Sequence, residues 1–279
     1  MKIAIIGGAG KMGSFFAHYL EGRGHEILVI DPRAKSPGRK SSGISSVSRT
    51  DAVIVSVPME RADRVLREVR LHLKKNSRII EISSLKSITK TIMRKIASEG
   101  HTAISLHPLF GPGVRGLRGS RMALIPVSNE MKEKKFVRSI FPEGSLVVVG
   151  LKEHERAMTS ILSLTYFTNL LFASSLKKGE MKTLRLLAGT TFSVQLTLTE
   201  AVLNEDPSLS ASILLMNPDV HRIAEQIAKK ASLLSQLVRK GDRDRLISQL
   251  KDARKTLGDE ESLDESYQKI YSIISKLNQ

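Results

Sequence analysis

His107 stands where a short apolar run, Thr102 to Leu106, gives way to Pro108-Leu109-Phe110-Gly111-Pro112-Gly113. A histidine directly after a buried strand, followed by Pro and a Gly-rich loop, is held rigidly at the edge where α/β sheets bind ligands. The chemistry open to a neutral imidazole there is to accept a proton from a substrate hydroxyl while hydride leaves the same carbon. Ser84 and Lys86, in Ser83-Ser84-Leu85-Lys86, follow another strand-like run. Ser84 could bond the substrate or set the imidazole tautomer, and Lys86 could meet a substrate carboxylate. As isolated residue types both are more often caps or surface charges. His154 opens a helix and could face a cleft. His18, His25, His72, His101 and His221 fall in helices or turns without convergent partners.

Hydride transfer needs an acceptor, and the stretch from Met1 to Asp31 has the residues to seat one. Lys2-Ile3-Ala4-Ile5-Ile6 reads as a buried parallel strand and leads into Gly7-Gly8-Ala9-Gly10-Lys11-Met12-Gly13, then into a helix. In this G-x-G-x-x-G, Gly8 permits the tight turn, Gly10 lets the backbone approach a pyrophosphate, and Gly13 lets the helix pack closely on the sheet. Amides of Ala9, Lys11 and Met12 at the helix start would face the phosphates. Asp31 ends the second strand, where a carboxylate accepts both hydroxyls of an adenosine ribose. Arg33 and Lys35 lie just beyond and could soften its repulsion of a 2′-phosphate, so NAD is expected, with NADP tolerated. Val57-Pro58 and Ser83, after later strands, would border the same cofactor.

The elements that must position these residues follow from pattern. Ala52 to Val57, Arg78 to Ile82, Thr102 to Leu106, Met122 to Pro126 and Leu146 to Val149 read as strands. Helical periodicity covers Glu60 to Lys74, Ile88 to Ser98 and Lys132 to Ser139, while Pro32 to Thr50 is polar and reads as loop with little regular structure. This is a Rossmann-type, doubly wound parallel sheet. From Lys152 the β-branched runs stop. Helices are expected over Glu153 to Leu176, Lys182 to Leu203, Pro207 to Asn217, Asp219 to Lys240, Asp242 to Leu257 and Ser262 to Leu277. The chain therefore reads as a dinucleotide-binding domain, 1–150, followed by an all-α domain, 151–279, for substrate binding and dimerisation.

Bulk properties narrow the classes. A chain of 279 residues with 41% hydrophobic content is globular and long enough for two domains. No run approaches the ~18 apolar residues of a membrane span, and the first residues already read as a folding strand, so a cytoplasmic chain without a membrane partner is expected. With no cysteine, thiol catalysis, disulfides and thiolate metal sites are excluded, and no metal is expected. Lys and Arg number 44 against 28 Asp and Glu, a formal charge of +16. The basic residues are scattered and aromatics make up only 4%, so the charge reads as a solvated surface that attracts anionic small molecules, with no nucleic acid partner.

Taken together, G-G-x-G-x-M-G, Ser56-Val57-Pro58, Ser83-Ser84-Leu85-Lys86 and His107-Pro108-Leu109-Phe110-Gly111-Pro112 resemble the prephenate dehydrogenase family of tyrosine biosynthesis. Glu153-His154-Glu155 is similar to the Glu-His-Asp that heads the family's helical domain, and Asp206-Pro207 with Ser212-Ile213-Leu214 is similar to its later helices. The resemblance implies NAD-dependent oxidative decarboxylation of prephenate to 4-hydroxyphenylpyruvate, with His107 as proton acceptor, Ser84 assisting it, and a homodimer paired through the helical domain. Two positions depart from the family pattern. Tyr166 aligns where relatives carry a His, and Ser193 where they carry a substrate-binding Arg. Arg185, Lys182 or Arg115 could replace the lost guanidinium, and Arg-to-Ser is not a conservative change at a carboxylate site. The alternatives are arogenate or another hydroxy-acid dehydrogenase of the same architecture, and a non-catalytic NAD-binding regulatory protein. No chorismate mutase segment is read before Lys2, so a monofunctional chain is expected.

Overall fold

The computed structural model describes residues 1–33, 43–258 and 260–277; Lys35 lies outside them. It divides into two compact units, Met1–Met158 and Thr159–Gln279.

The first unit is built on seven strands: β1 (Lys2–Ile6), β2 (Glu26–Ile30), β3 (Ala52–Val55), β4 (Arg78–Glu81), β5 (Thr102–Pro108), β6 (Arg121–Ile125) and β7 (Ser145–Val148). Their order is β2-β1-β3-β4-β5-β6-β7. Successive strand side chains point to opposite faces, so each apolar run feeds two cores. Ile3, Ile5, Ile54, Ile80 and Ile104 pack with Phe16 and Leu20 of α1 (Lys11–Glu21) and with Phe136 and Ile140 of α4 (Glu130–Ile140). Ala4, Ile6, Val53, Val55 and Ile79 pack on the other face with Leu66 and Val69 of α2 (Met59–Arg70) and Ile92 and Ile96 of α3 (Lys90–Ser98).

The sheet is mostly parallel, as expected of a Rossmann-type fold, but β6 runs antiparallel to β5, pairing Ser105 with Ile125 and His107 with Ala123. The connection between them, residues 109–120, carries no helix, and parallel strands need a crossover that is usually helical. Pairing with β6 also carries β5 on to Pro108, so His107 lies within the strand and not after it. Within the stretch read as loop, Ile44–Arg49 form a 3₁₀ helix, because Val47 is fully buried in the second core cluster.

α5 (Leu151–Met158) lies within the first compact unit, which ends at Met158. His154 and Glu155 of this helix bond to β5 and to the segment after β4, and those bonds hold it there.

The second unit is helical: α6 (Thr165–Ser175), α7 (Met181–Leu187), α8 (Thr190–Leu203), α9 (Pro207–Leu215), α10 (Val220–Lys240), α11 (Arg243–Leu257) and α12 (Glu260–Leu277). Two long helices expected from periodicity are interrupted. A π-helical turn at Thr159–Leu164 separates α5 from α6, and extended Gly189 starts α8 afresh after α7. Gly241 takes the left-handed conformation that ends α10 (φ 64°), and the side chains of Asp206 and Asp242 cap α9 and α11 through the Ser208 and Arg245 amides. Several large apolar side chains of this unit face solvent, Leu186 and Leu215 more than four-fifths exposed. Among the described residues no helix is long and apolar enough to cross a membrane.

Candidate active site

The glycine turn joins β1 to α1, and Gly7, not Gly8, takes the left-handed turn (φ 79°). A Cβ on Gly7 would sit 2.2 Å from the Ser56 carbonyl oxygen, so only glycine fits. Gly8 is needed for space, its added Cβ meeting Val29 at 2.9 Å. Gly13 packs as expected: a Cβ there would lie 2.3 Å from the Gly7 carbonyl oxygen. Gly10 caps α1 in extended conformation, and its amide donates to Gly7 O at 3.0 Å. The amides of Lys11, Met12 and Gly13 begin the helix, and among the described residues no chain acceptor meets them.

The Ala9 amide does not wait for a phosphate. It donates to Asp31 Oδ2 at 3.2 Å, which ties the turn to the end of β2. Arg33 donates to the same carboxylate through its backbone amide at 2.8 Å and through Nε and Nη2 at 3.3 and 3.2 Å. Burial alone would raise the Asp31 pKa, but the bonds from Arg33 and Ala9 outweigh it and hold the group below the ordinary carboxylate range. Arg33 is largely exposed, so its guanidinium can leave the carboxylate to a ribose or turn outward to a phosphate. Val57 and Pro58 lie where β3 gives way to α2, with Pro58 at the helix cap. The residues present fit a dinucleotide: a glycine cradle that a Cβ would fill, open helix-start amides, and a carboxylate at the next strand end.

At β5 the chemistry concentrates. His107 is 5% exposed, and its Nδ1 lies 3.0 Å from Nε2 of His154, which is 1% exposed. Burial, then the positive charge of Lys86, then His154 push the His107 pKa well below its ordinary value, so the imidazole is neutral. His154 Nδ1 in turn lies 3.2 Å from Glu155 Oε1. Glu155 also accepts from the backbone amides of Lys86 and Ser87, at 2.8 and 3.4 Å.

Beneath this pair sits a buried ionic cluster. Lys86 Nζ donates to Glu81 Oε1 and to the Leu106 carbonyl, each at 2.8 Å, and Ser105 Oγ donates to the same Glu81 oxygen. Lys86 is 1% exposed, so its ammonium is not placed to meet a substrate carboxylate; it holds β4 to β5 and adds positive charge near His107. Ser83, expected beside the cofactor, is buried and spends its amide on Glu81 Oε2 at 2.9 Å. Ser84 is half-buried, and among the described residues no hydrogen bond joins it to His107. The side-chain contact of His107 that was expected of Ser84 is instead with His154.

The remaining candidates lie in the second unit. The Tyr166 hydroxyl donates to Glu205; burial first, and that carboxylate second, push its pKa far up, so it stays a phenol. Arg185 and Ser193 line one groove of about 400 Å³ with Gly189, Thr190 and Thr197. Arg185 is already paired with Glu200, so a substrate carboxylate would have to displace that partner. Arg115 differs: it is exposed, and among the described residues no carboxylate pairs with it. It lines a groove of about 490 Å³ beside Lys11, Ser14 and His18 of α1, with no acid among the lining residues.

Residues 33–127 match the family description "Prephenate dehydrogenase, nucleotide-binding domain", and residues 151–252 match "Prephenate dehydrogenase, dimerization domain". The chain belongs to the prephenate dehydrogenase family. A probable arogenate/prephenate dehydrogenase of Methanocaldococcus jannaschii is 27% identical over 93% of this chain, which spans 62% of that relative's length. The T-protein of Haemophilus influenzae is 23% identical over 96% of this chain and 70% of its own. Among solved structures, prephenate dehydrogenase from Aquifex aeolicus, crystallised with hydroxyphenyl propionate and NAD+, superposes with a TM-score of 0.68 at 17% identity, covering 92% of this chain and 96% of that one.

Around His107, sequence reading did not single out Glu81, Ser105 or Glu155 for the contacts they make. Glu81 carried a signal, since an acid inside the apolar strand Arg78–Glu81 needs a buried partner. Glu155 stood in the Glu153-His154-Glu155 motif, but its part was not read there because two of its partners are backbone amides far away in sequence.

Proposed function

We propose that this protein is a dehydrogenase that oxidatively decarboxylates prephenate with NAD, forming 4-hydroxyphenylpyruvate. The observation that carries this reading is His107: a buried, neutral imidazole on β5, in the same unit as a dinucleotide cradle, in a chain of this family. Gly8, Gly10, Lys11, Met12 and Asp31 would hold the cofactor, with Arg33 at its ribose end. When bound, the nicotinamide supplies the hydride acceptor for the ring carbon that bears the hydroxyl. His107 takes the hydroxyl proton as the carbon–oxygen double bond forms, which avoids a protonated carbonyl. Loss of carbon dioxide then sends the bonding pair to the carbonyl oxygen as the ring aromatises, and the phenolate takes a proton back from protonated His107 or from water. Arg115, which has no carboxylate partner among the described residues, is the residue proposed to meet a substrate carboxylate. Arogenate, which differs in its side chain and not at the reacting carbon, is the second reading, favoured by the mixed activity in the name of the archaeal relative. We also propose a homodimer paired through the helical unit, supported by the description matched there and by its exposed leucines.

The test is to supply NAD with prephenate or arogenate and follow absorbance of the reduced cofactor. Turnover of prephenate with NAD is expected. Turnover of arogenate alone would transfer the assignment to that substrate, and turnover of neither would refute it.

A further inference from the structure

A general base must present a bare nitrogen to its substrate, and a neutral imidazole has only one. Which of the two His107 nitrogens is bare depends on a chain of contacts that starts at Glu155. Burial by itself would raise the Glu155 pKa, but bonds from His154 and from the Lys86 and Ser87 amides outweigh it and keep the group an anion. A carboxylate can only accept, so His154 Nδ1, at 3.2 Å, must carry the proton of that contact. Where that is the ring's one proton, Nε2 is bare. The 3.0 Å contact between that Nε2 and His107 Nδ1 needs one proton, and only His107 can supply it. We propose that Glu155 and His154 are positioning residues that lock His107 in its Nδ1–H tautomer and leave Nε2 as the sole proton acceptor. Among the described residues no side chain bonds to that Nε2.

The geometry makes the lock stiff. Glu155 is itself pinned by two backbone amides after β4, the two rings are buried and set edge to face at 76°, and α5 carries both partners. A reversed chain, with His107 as the Nε2–H tautomer, would leave two bare nitrogens facing one another at His107 Nδ1 and His154 Nε2. It could form only if His154 took up a second proton, and His107 would then be a donor unable to accept. The catalytic consequence rests on the reading of His107 as the base; the tautomer itself does not.

The experiment is a long-range proton–nitrogen correlation spectrum of the whole protein labelled with ¹⁵N-histidine, with His107 assigned by its absence from His107→Asn. The expected result is a pyrrole-type Nδ1 and a bare Nε2 for His107 in the unaltered protein, read without any substrate. His154→Leu should mix the two tautomers and lower turnover about 10–100-fold, the usual cost of losing a residue that orients a functional imidazole. His154→Gln, whose amide oxygen can still accept from Nδ1–H, should restore most of both at unchanged KM for the cofactor. An Nε2–H tautomer in the unaltered protein overturns the proposal, as does His154→Leu with tautomer and turnover unchanged. Should His154→Leu fail to fold, the unaltered and His154→Gln spectra still decide. The expected spectrum with no turnover of prephenate or arogenate would refute the substrate assignment and leave the lock standing.

Discussion

Lys86→Met separates what the buried Glu81–Lys86 pair does for the fold from what it does for His107. Both side chains are at most 1% exposed, and the ammonium also serves the Leu106 carbonyl. Methionine fills similar volume, so the main loss is charge. Glu81 keeps its bonds from Ser105 and the Ser83 amide but becomes a buried anion without a cation. Breaking such a pair from one side costs roughly 3–5 kcal/mol, against at most about 1 kcal/mol for an exposed pair. For a unit the size of Met1–Met158, that corresponds to a Tm lower by roughly 6–20 °C. The double variant Glu81→Gln/Lys86→Met removes both charges and should recover most of the loss. It should also relieve His107 of the Lys86 charge, which is second to burial among the causes of its lowered pKa. The acid limb of kcat against pH should therefore move upward part of the way to an ordinary histidine. Calorimetry and urea titration of the three proteins, with pH–rate profiles, test this. A single variant that loses less than about 1 kcal/mol, or a double variant as unstable as the single, would show that the pair contributes packing and not charge.

His107→Asn should lower kcat by ~10²–10⁴-fold with cofactor affinity nearly unchanged, as steady-state kinetics with isothermal titration of NAD will show. Because His107 is held neutral, the folded state binds fewer protons than the unfolded chain below about pH 6.5, so stability should fall on acidification through that window. His107→Asn should flatten this decline in denaturation curves taken at several pH values. Asp31→Ser should raise the ratio of kcat/KM with NADP to that with NAD, since Arg33 is then left without its carboxylate; a lower ratio would contradict the ribose role. Arg115→Gln should raise KM for substrate with little change in KM for NAD, and an unchanged substrate KM would move the carboxylate site elsewhere. Light scattering should give twice the 30.8 kDa chain mass, and a monomer at micromolar concentration would refute pairing.

The first unit was legible because its signals are local. An apolar run, a glycine turn and a helix repeat within a few residues of each other, and Asp31 needs only its place at a strand end. The second unit was legible as helical, with boundaries near Pro207, Lys240 and Asp242, and less so in its continuity. Periodicity runs unbroken across Thr159–Leu164, where the backbone widens to a π turn, and across Gly189, where one helix ends and the next begins. A π turn shifts the register of side chains without altering their types, so a pattern of apolar spacing does not report it.

The site divides in the same way. His107 was found because residue type and strand-end position suffice to nominate a base, yet its strand was read two residues short, since β6 pairs with β5 from a distance in sequence. Lys86 was nominated for the wrong contact. Motif spacing places it near the rim but does not say which way the side chain turns, and that is decided by Glu81, whose buried carboxylate demands a cation. Ser84 was the candidate to act on His107, while His154 was read only as a helix-start residue that could face a cleft; the contact to His107 is made by His154, whose other ring nitrogen lies against Glu155, itself fixed by two amides. Each residue is visible in the sequence; the direction of each proton is visible only once the acceptors on either side are known. Nominating a candidate imidazole thus takes only residue type and place in the chain, and finding its partners takes the fold.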